Sequence, residues 1–248
     1  AIPCLLLQRL SVTMNRELDP IKGAIFDCDG TLLDSLGAWR GLEDEVSRLA
    51  GVTVTPEEHK MFTTFTIPEV ARYFHEQYGL ASSMEAVMGI MDEYMMSYYE
   101  RVHLMPGAEA ILESCARNNV KMSMASSSKP QFLWAGARAT GIADYFSAIV
   151  SVEEVGASKR EPAVYDRARE VMGTEKAFTW GFEDALYAMD TLVKAGYPVF
   201  GLYDEAHGVP QVEVEKRARL VAPTLENVAV RELSLIHISE PTRLRRIS

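Results

Sequence analysis

The sequence predicts an α/β fold: a doubly wound parallel sheet, interrupted after its first strand by an all-helical insert. Three observations predict it. The apolar residues Ile21, Ala24, Ile25 and Phe26 read as a short buried strand, with Gly30 as the turn signal beyond it. Residues 36–104 carry helical periodicity and no clear strand. From Pro106-Gly107 onward, helices alternate with short apolar runs, the rhythm of a parallel sheet covered on both faces.

In the insert, Trp39, Leu42, Val46 and Leu49 recur at three- and four-residue spacing, and Gly51 closes that helix. Thr55-Pro56-Glu57-Glu58 starts a second helix, with Thr55 as N-cap and Pro56 at the first helical position. Ile67-Pro68-Glu69 opens a third, which runs through Val70, Tyr73 and Phe74 to a stop at Gly79. Ser82 or Ser83 caps a longer fourth, carrying Met84, Val87, Met88, Met91, Met95 and Tyr98. Methionine repacks easily, so this stripe has an alternative as an adaptable ligand surface; at helical spacing, plain core is the expectation.

Beyond Pro106, a helix at 108–118 leads to a strand at 120–125, and a helix at 130–139 to a strand at 148–152. A helix near 162–172 leads to a strand at 177–182, and a helix at 185–195 to a strand at 198–203, with 219–222 as one more strand. Ligands of such sheets bind beyond the carboxyl ends of the strands. The chain has no internal repeat, no G-x-G-x-x-G and no Walker-type loop, so a nucleotide-binding reading has no support.

Chemistry-bearing residues gather at those strand ends. Asp27 and Asp29 follow the first strand, and residues two apart on an extended chain share a face. Two carboxylates aimed together repel, so a metal ion or a shared proton is needed to hold them. Ser126-Ser127-Ser128-Lys129 follows the second strand and offers hydroxyl and backbone donors around a concavity, a phosphate cradle. Lys159 and Arg160 come after the third strand, and Glu183-Asp184 ends the fourth and opens a helix. The plain alternatives are acidic and serine-rich turns, solvated surface charges and acids favoured by a helix N-terminus.

The string Phe26-Asp27-Cys28-Asp29-Gly30-Thr31-Leu32-Leu33-Asp34-Ser35 resembles the first motif of the haloacid dehalogenase-like phosphohydrolases, D-x-D-G-T-(L/V)-x-D-S after an apolar strand. The resemblance extends over about residues 21–230, with four motifs in the expected order. It implies Asp27 as the nucleophile and Asp29 as the general acid/base. It implies Ser126 on the phosphoryl oxygens, with Gly30 and Ser127 in the same cradle. Lys159 resembles the lysine of the third motif, usually K-P-x-P-D, although Arg160 and Ala163 replace its proline and aspartate. Lys159 rather than Arg160 is then the inward charge. Glu183 and Asp184 resemble the fourth motif, commonly (G/F)-E-D-S-x-x-G, with Ala185 and Ala188 replacing the serine and glycine.

The same resemblance implies a Mg2+ site made of a side-chain oxygen of Asp27, the backbone carbonyl of Asp29, Asp184, and Glu183 directly or through water. Oxygen-only ligation suits that ion. It further implies a Rossmann-like core at 14–35 and 105–232 and a helical cap at 36–104 that selects substrate. The implied activity is a phosphatase acting on a small phosphorylated metabolite through an aspartyl-phosphate. A phosphomutase of the beta-phosphoglucomutase type is the same-fold alternative. A non-catalytic phosphate-binding regulatory relative is the alternative from another class. Dehalogenases of this fold lack an acid at the position of Asp29, and the mutases carry a histidine where this chain has Trp39.

Composition bounds the rest. With 48% hydrophobic and 24% charged residues the chain is ordinary for a globular protein, and a monomer is expected. A net charge of −10 argues against nucleic acid or an anionic membrane surface as partner. Three scattered cysteines without a CxxC pair suit a reducing compartment, and no apolar run approaches a membrane span, so a cytoplasmic location is expected. Met14 resembles a natural start, making residues 1–13 a non-native leader. Residues 233–248 resemble a translated sequencing adaptor rather than a native tail.

Overall fold

The structure, a computed structural model, describes residues 21–62, 65–205 and 208–227. The expected leader at 1–13, the start at Met14 and the tail at 233–248 lie outside the described residues. Strand β1 (Gly23–Phe26) is followed by four helices: α1 (Leu36–Ala50), α2 (Pro56–Phe62), α3 (Ile67–Tyr78) and α4 (Met84–Tyr99). Their ends follow from local chemistry. Gly51 and Gly79 adopt φ of 68° and 66°, the left-handed conformation that ends α1 and α3. Thr55 and Thr66 each exchange hydrogen bonds with a glutamate three residues on, forming capping boxes. Of the two candidate serines, Ser83 caps α4 by accepting from the Ala86 N–H at 3.2 Å.

Two helical faces turn slightly from their expected positions. α1 buries Ala38, Leu42 and Val46, whereas Leu49 is 42% exposed. The stripe continues instead at Ala50, four residues beyond Val46, which packs on the core. α4 buries Val87, Met91, Met95 and Tyr99, so its methionine stripe is core. Tyr99, four residues beyond Met95, closes that stripe; Tyr98 is only half-buried.

The remainder alternates as expected: α5 (Ala108–Arg117), β2 (Lys121–Ser126), α6 (Pro130–Ala139), β3 (Ile149–Ser151), α7 (Val152–Val155), α8 (Ala163–Met172) and β4 (Thr179–Glu183). Then come α9 (Leu186–Ala195), β5 (Val199–Leu202), α10 (Gln211–Glu215) and β6 (Leu220–Ala222). α7 and α10 are about one turn each, too short to leave a periodic signal.

The six strands pair in the order β3-β2-β1-β4-β5-β6, every pairing parallel. β1 is thus central, and the strand order reverses direction between β1 and β4, where doubly wound sheets bind ligands. Alternation divides the sheet into two faces. Phe26, Phe182 and Phe200 stack across three strands, with centroids 4.5 and 5.3 Å apart, and join the core shared with the four inserted helices. Ile25, Ala125 and Val199 face the opposite layer, with Val164, Ala168 and Leu192 of α8 and α9.

Candidate active site

Asp27 directly follows β1, and its N–H still bonds the Phe182 carbonyl at 2.9 Å. By strand parity it shares the side of Ile25, and there Lys159 reaches it from the segment before α8. The Lys159 ammonium, 3% exposed, donates to Asp27 Oδ1 and, at 2.6 Å, to Glu183 Oε1. Tyr165 of α8 donates to the same Glu183 oxygen at 2.8 Å. Arg160 is turned outward, with its guanidinium 4.8 Å from the Tyr187 ring. Lys159 is therefore the inward charge of the two.

Charge is unbalanced in this nest. Burial works against the Lys159 ammonium, but Asp27 and Glu183 outweigh it and raise its pKa. Burial lifts the Asp27 carboxyl well above the usual carboxylate range; Lys159 opposes that lift, while Glu183, Asp184 and Asp29 add to it. Asp184 is pushed up to about 7, first by burial and then by Glu183. One ligand oxygen each from Asp27, Glu183 and Asp184 lies within 4.8 Å of the others. Like charges about 4 Å apart cost about 4 kcal/mol per pair at an effective dielectric near 20.

These residues fit a divalent cation. Glu183 Oε1 is fully used, whereas Glu183 Oε2 is buried without a hydrogen-bond partner. Gly30 makes room for the third acid. It holds φ of 84°, and a Cβ there would meet Asp184 Oδ2 at 2.6 Å. Its own N–H donates to the Leu33 carbonyl at 2.9 Å, so Gly30 serves the turn and the acid cluster. An orphaned carboxylate oxygen beside two further carboxylates matches the oxygen demand of a hard divalent cation.

Asp29 is held differently. Its Oδ1 accepts from Ser35 Oγ at 2.6 Å and from the Tyr99 hydroxyl. Its Oδ2 accepts from Ser128 Oγ at 2.6 Å and from Ser126 Oγ at 3.2 Å. Four hydroxyls from three segments thus surround one carboxylate. Of the three adjacent serines, Ser126 and Ser128 are buried and share this face, while the intervening Ser127 is exposed. Ser126, expected in the phosphate cradle, has its hydroxyl on Asp29 here. Sequence reasoning missed Tyr99 and Tyr165 as site residues, and it gave Ser35 of the first motif and Ser128 of the serine run no role on Asp29. Of the two tyrosines, spacing held a signal for Tyr99 alone, on the buried face of α4.

A family model described as haloacid dehalogenase-like hydrolase matches residues 21–196. Hexitol phosphatase B of Escherichia coli (strain K12) is 26% identical over 172 residues, covering 68% of this chain and 78% of that protein. The structure of CbbY from Rhodobacter sphaeroides in complex with phosphate aligns with a TM-score of 0.69 at 20% identity, covering 84% of this chain and 96% of that one. Beta-phosphoglucomutase (pgmB) from Clostridium difficile aligns with a TM-score of 0.67 at 18% identity, covering 88% and 97%. At such identities the two structures speak for the fold.

Proposed function

The chain belongs to the haloacid dehalogenase-like hydrolases, and from that premise we propose that it is a magnesium-dependent phosphatase of a small phosphorylated metabolite. The observation that carries the proposal is the pair at the crest of β1. Asp27 is paired with a buried lysine, and two residues on Asp29 is ringed by hydroxyl donors.

In this reading an Asp27 oxygen attacks phosphorus as the bond to the ester oxygen breaks, and Asp29 gives that departing oxygen its proton. The aspartyl-phosphate so formed is opened by water, whose proton Asp29 takes, and inorganic phosphate leaves with Asp27 restored. Lys159 keeps a positive charge beside Asp27 throughout. Ser126 and Ser127 line the phosphate cradle. Asp27, Glu183, Asp184 and the Asp29 carbonyl would hold Mg2+, which when bound supplies positive charge for the phosphoryl oxygens. Residues 36–104 act as the cap over the site; of the α/β core proposed at 14–35 and 105–232, residues 14–20 and 228–232 lie outside the described residues.

In this reading the charge of −10 argues against nucleic acid or an anionic membrane surface as partner. Among the described residues no helix is long and apolar enough to cross a membrane. A cytoplasmic monomer completes the proposal.

Trp39 favours hydrolysis over phosphomutase chemistry. It stands where the mutases that the chain resembles carry a histidine, and it packs half-buried against the core. Indole exchanges no proton near neutral pH. In those mutases the histidine helps switch the acid into place on cap closure; without it Asp29 serves water as readily as a sugar hydroxyl, and the aspartyl-phosphate is short-lived. Incubation with beta-glucose 1-phosphate and trace bisphosphate tests this. Steady release of inorganic phosphate is expected, and glucose 6-phosphate formed much faster than phosphate would overturn the phosphatase reading. A chromogenic phosphate ester assayed with and without Mg2+ separates an enzyme from a non-catalytic relative. The name of hexitol phosphatase B puts hexitol phosphates first in a substrate panel.

A further inference from the structure

We propose that Tyr99 is a positioning residue for Asp29, through which the docking of the last inserted helix fixes the carboxylate that transfers the proton. The inference rests on the phosphatase reading for the role of Asp29, and on the geometry for the rest. Tyr99 is fully buried at the last residue of α4, and its hydroxyl donates to Asp29 Oδ1. The same hydroxyl lies 3.2 Å from Ser128 Oγ, which holds the other Asp29 oxygen at 2.6 Å. Tyr99 therefore links the donors on both carboxylate oxygens. Burial and then Asp29 raise the phenol pKa far above its ordinary value, so Tyr99 remains a donor.

The ring is fixed by α6. It stacks on Phe132 with centroids 5.5 Å apart and planes 19° apart. Gly136 lets the two helices meet, because a Cβ there would lie 3.1 Å from Tyr99 Cδ1 and 2.6 Å from Leu33 Cδ1. Seven residues earlier on α4, about two turns, Asp92 pairs with Lys129 at 2.7 Å, directly beside Ser128. In the arrangement that brings the hydroxyl to Asp29, α4 lies along α6. A carboxylate that must present one oxygen to a departing group gains from donors that fix its rotation.

The test compares Tyr99→Phe with wild type on two esters, an alkyl phosphate such as glycerol phosphate and p-nitrophenyl phosphate. Nitrophenolate leaves without a proton, whereas an alkoxide needs one. Because kcat/KM covers the steps up to the first irreversible one, it isolates proton delivery to the leaving group. The alkyl kcat/KM is expected to fall at least about tenfold, the lower range of general-acid effects being about 10². The nitrophenyl value should stay within about threefold of wild type, since it bypasses that term. Equal losses on both esters, or no loss on the alkyl ester, would overturn the proposal. A thermal double-mutant cycle reads the contact without turnover. The fall in Tm caused by Tyr99→Phe should shrink when Asp29→Ala is already present, and additive changes in Tm would refute the link. A wild-type protein inert on both esters would defeat the phosphatase reading, with the thermal cycle still deciding the Tyr99–Asp29 contact.

Discussion

Asp27 and Asp29 stand two residues apart, and the fold supports them by opposite means. Asp27 is buried in a nest of charge, with one ammonium serving it and Glu183 while Asp184 adds a further acid. Asp29 is half-buried in a nest of hydroxyls that bring no charge at all. The first nest is incomplete as protein alone, since its acids outnumber its cation and Glu183 Oε2 has no donor. The second is complete within the chain. The difference teaches that the D-x-D spacing fixes where two carboxylates start, while the strands and helices around them decide what each can do. Strand parity hands Asp27 to the layer of α8 and α9. The turn at Gly30 brings Asp29 to hydroxyls from β2, its following loop, α4 and the entry to α1.

The sharpest way to break the comparison is Asp27→Asn. If the charge nest holds the nucleophile, turnover should fall by at least about 10³-fold, as expected when an essential nucleophile is lost. More than a few per cent of wild-type rate, with contaminating phosphatase excluded, would remove Asp27 from that role. Asp29→Asn should still form some phosphoenzyme, detectable by rapid quench.

Next in size is Lys159→Met, which leaves Asp27 and Glu183 facing each other without their shared cation. Removing one partner of a buried pair costs about 3–5 kcal/mol. In a chain of this length that is a fall in Tm of roughly 10 °C. Thermal unfolding with and without Mg2+ checks it, and a loss of only a degree or two would mean the nest is balanced without lysine.

A smaller effect comes from pH. Asp184 has a folded pKa of about 7, above the unfolded value of about 4, so the folded protein binds this proton more tightly. The contribution is fully present below about pH 4 and is lost as pH rises through about 7. Metal-free protein should therefore lose several degrees of Tm between about pH 5 and 7.5. Asp184→Asn should flatten that slope, and Mg2+ should oppose it. An unchanged slope in the variant would assign the titration elsewhere.

The least change is expected from the hydroxyl nest. Ser128→Ala removes one of four donors to Asp29 and should cost about 1 kcal/mol in chemical denaturation. A cost rivalling that of Lys159→Met would erase the contrast between the two nests.

Much of this architecture was legible in the sequence because it is written locally. Apolar runs marked the strands, and glycines and capping residues marked the helix ends. Asp27, Asp29, Lys159, Glu183 and Asp184 carry motif spacing, and the structure brings them to one end of the sheet. The convergence of hydroxyls on Asp29 was not legible, because Ser35, Ser128 and Tyr99 meet it across up to 99 residues of chain and no local pattern records such a meeting. Tyr99 was the near miss. Extending the stripe from Met91 and Met95 by four residues gives Tyr99, whereas a three-residue step gives its half-buried neighbour Tyr98. Leu49 failed for the same reason in reverse, since a three-residue step led off the face that Ala50 continues.

The central position of β1 also governs when the site can exist. Its two neighbours begin at Lys121 and Thr179, far along the chain from Gly23. The helices α1 to α4 need no such distant partner to meet one another, as the contacts of α3 with α4 and of α1 with α4 show. Loop closure must be met before a distant pairing rewards it, so local helical contacts are expected to form ahead of the sheet centre. During synthesis, a nascent chain ending before β4 would have made the whole insert and both aspartates that follow β1, yet Asp27 would lack Glu183 and Asp184. The nucleophile is thus made about 150 residues before the acids that complete its nest.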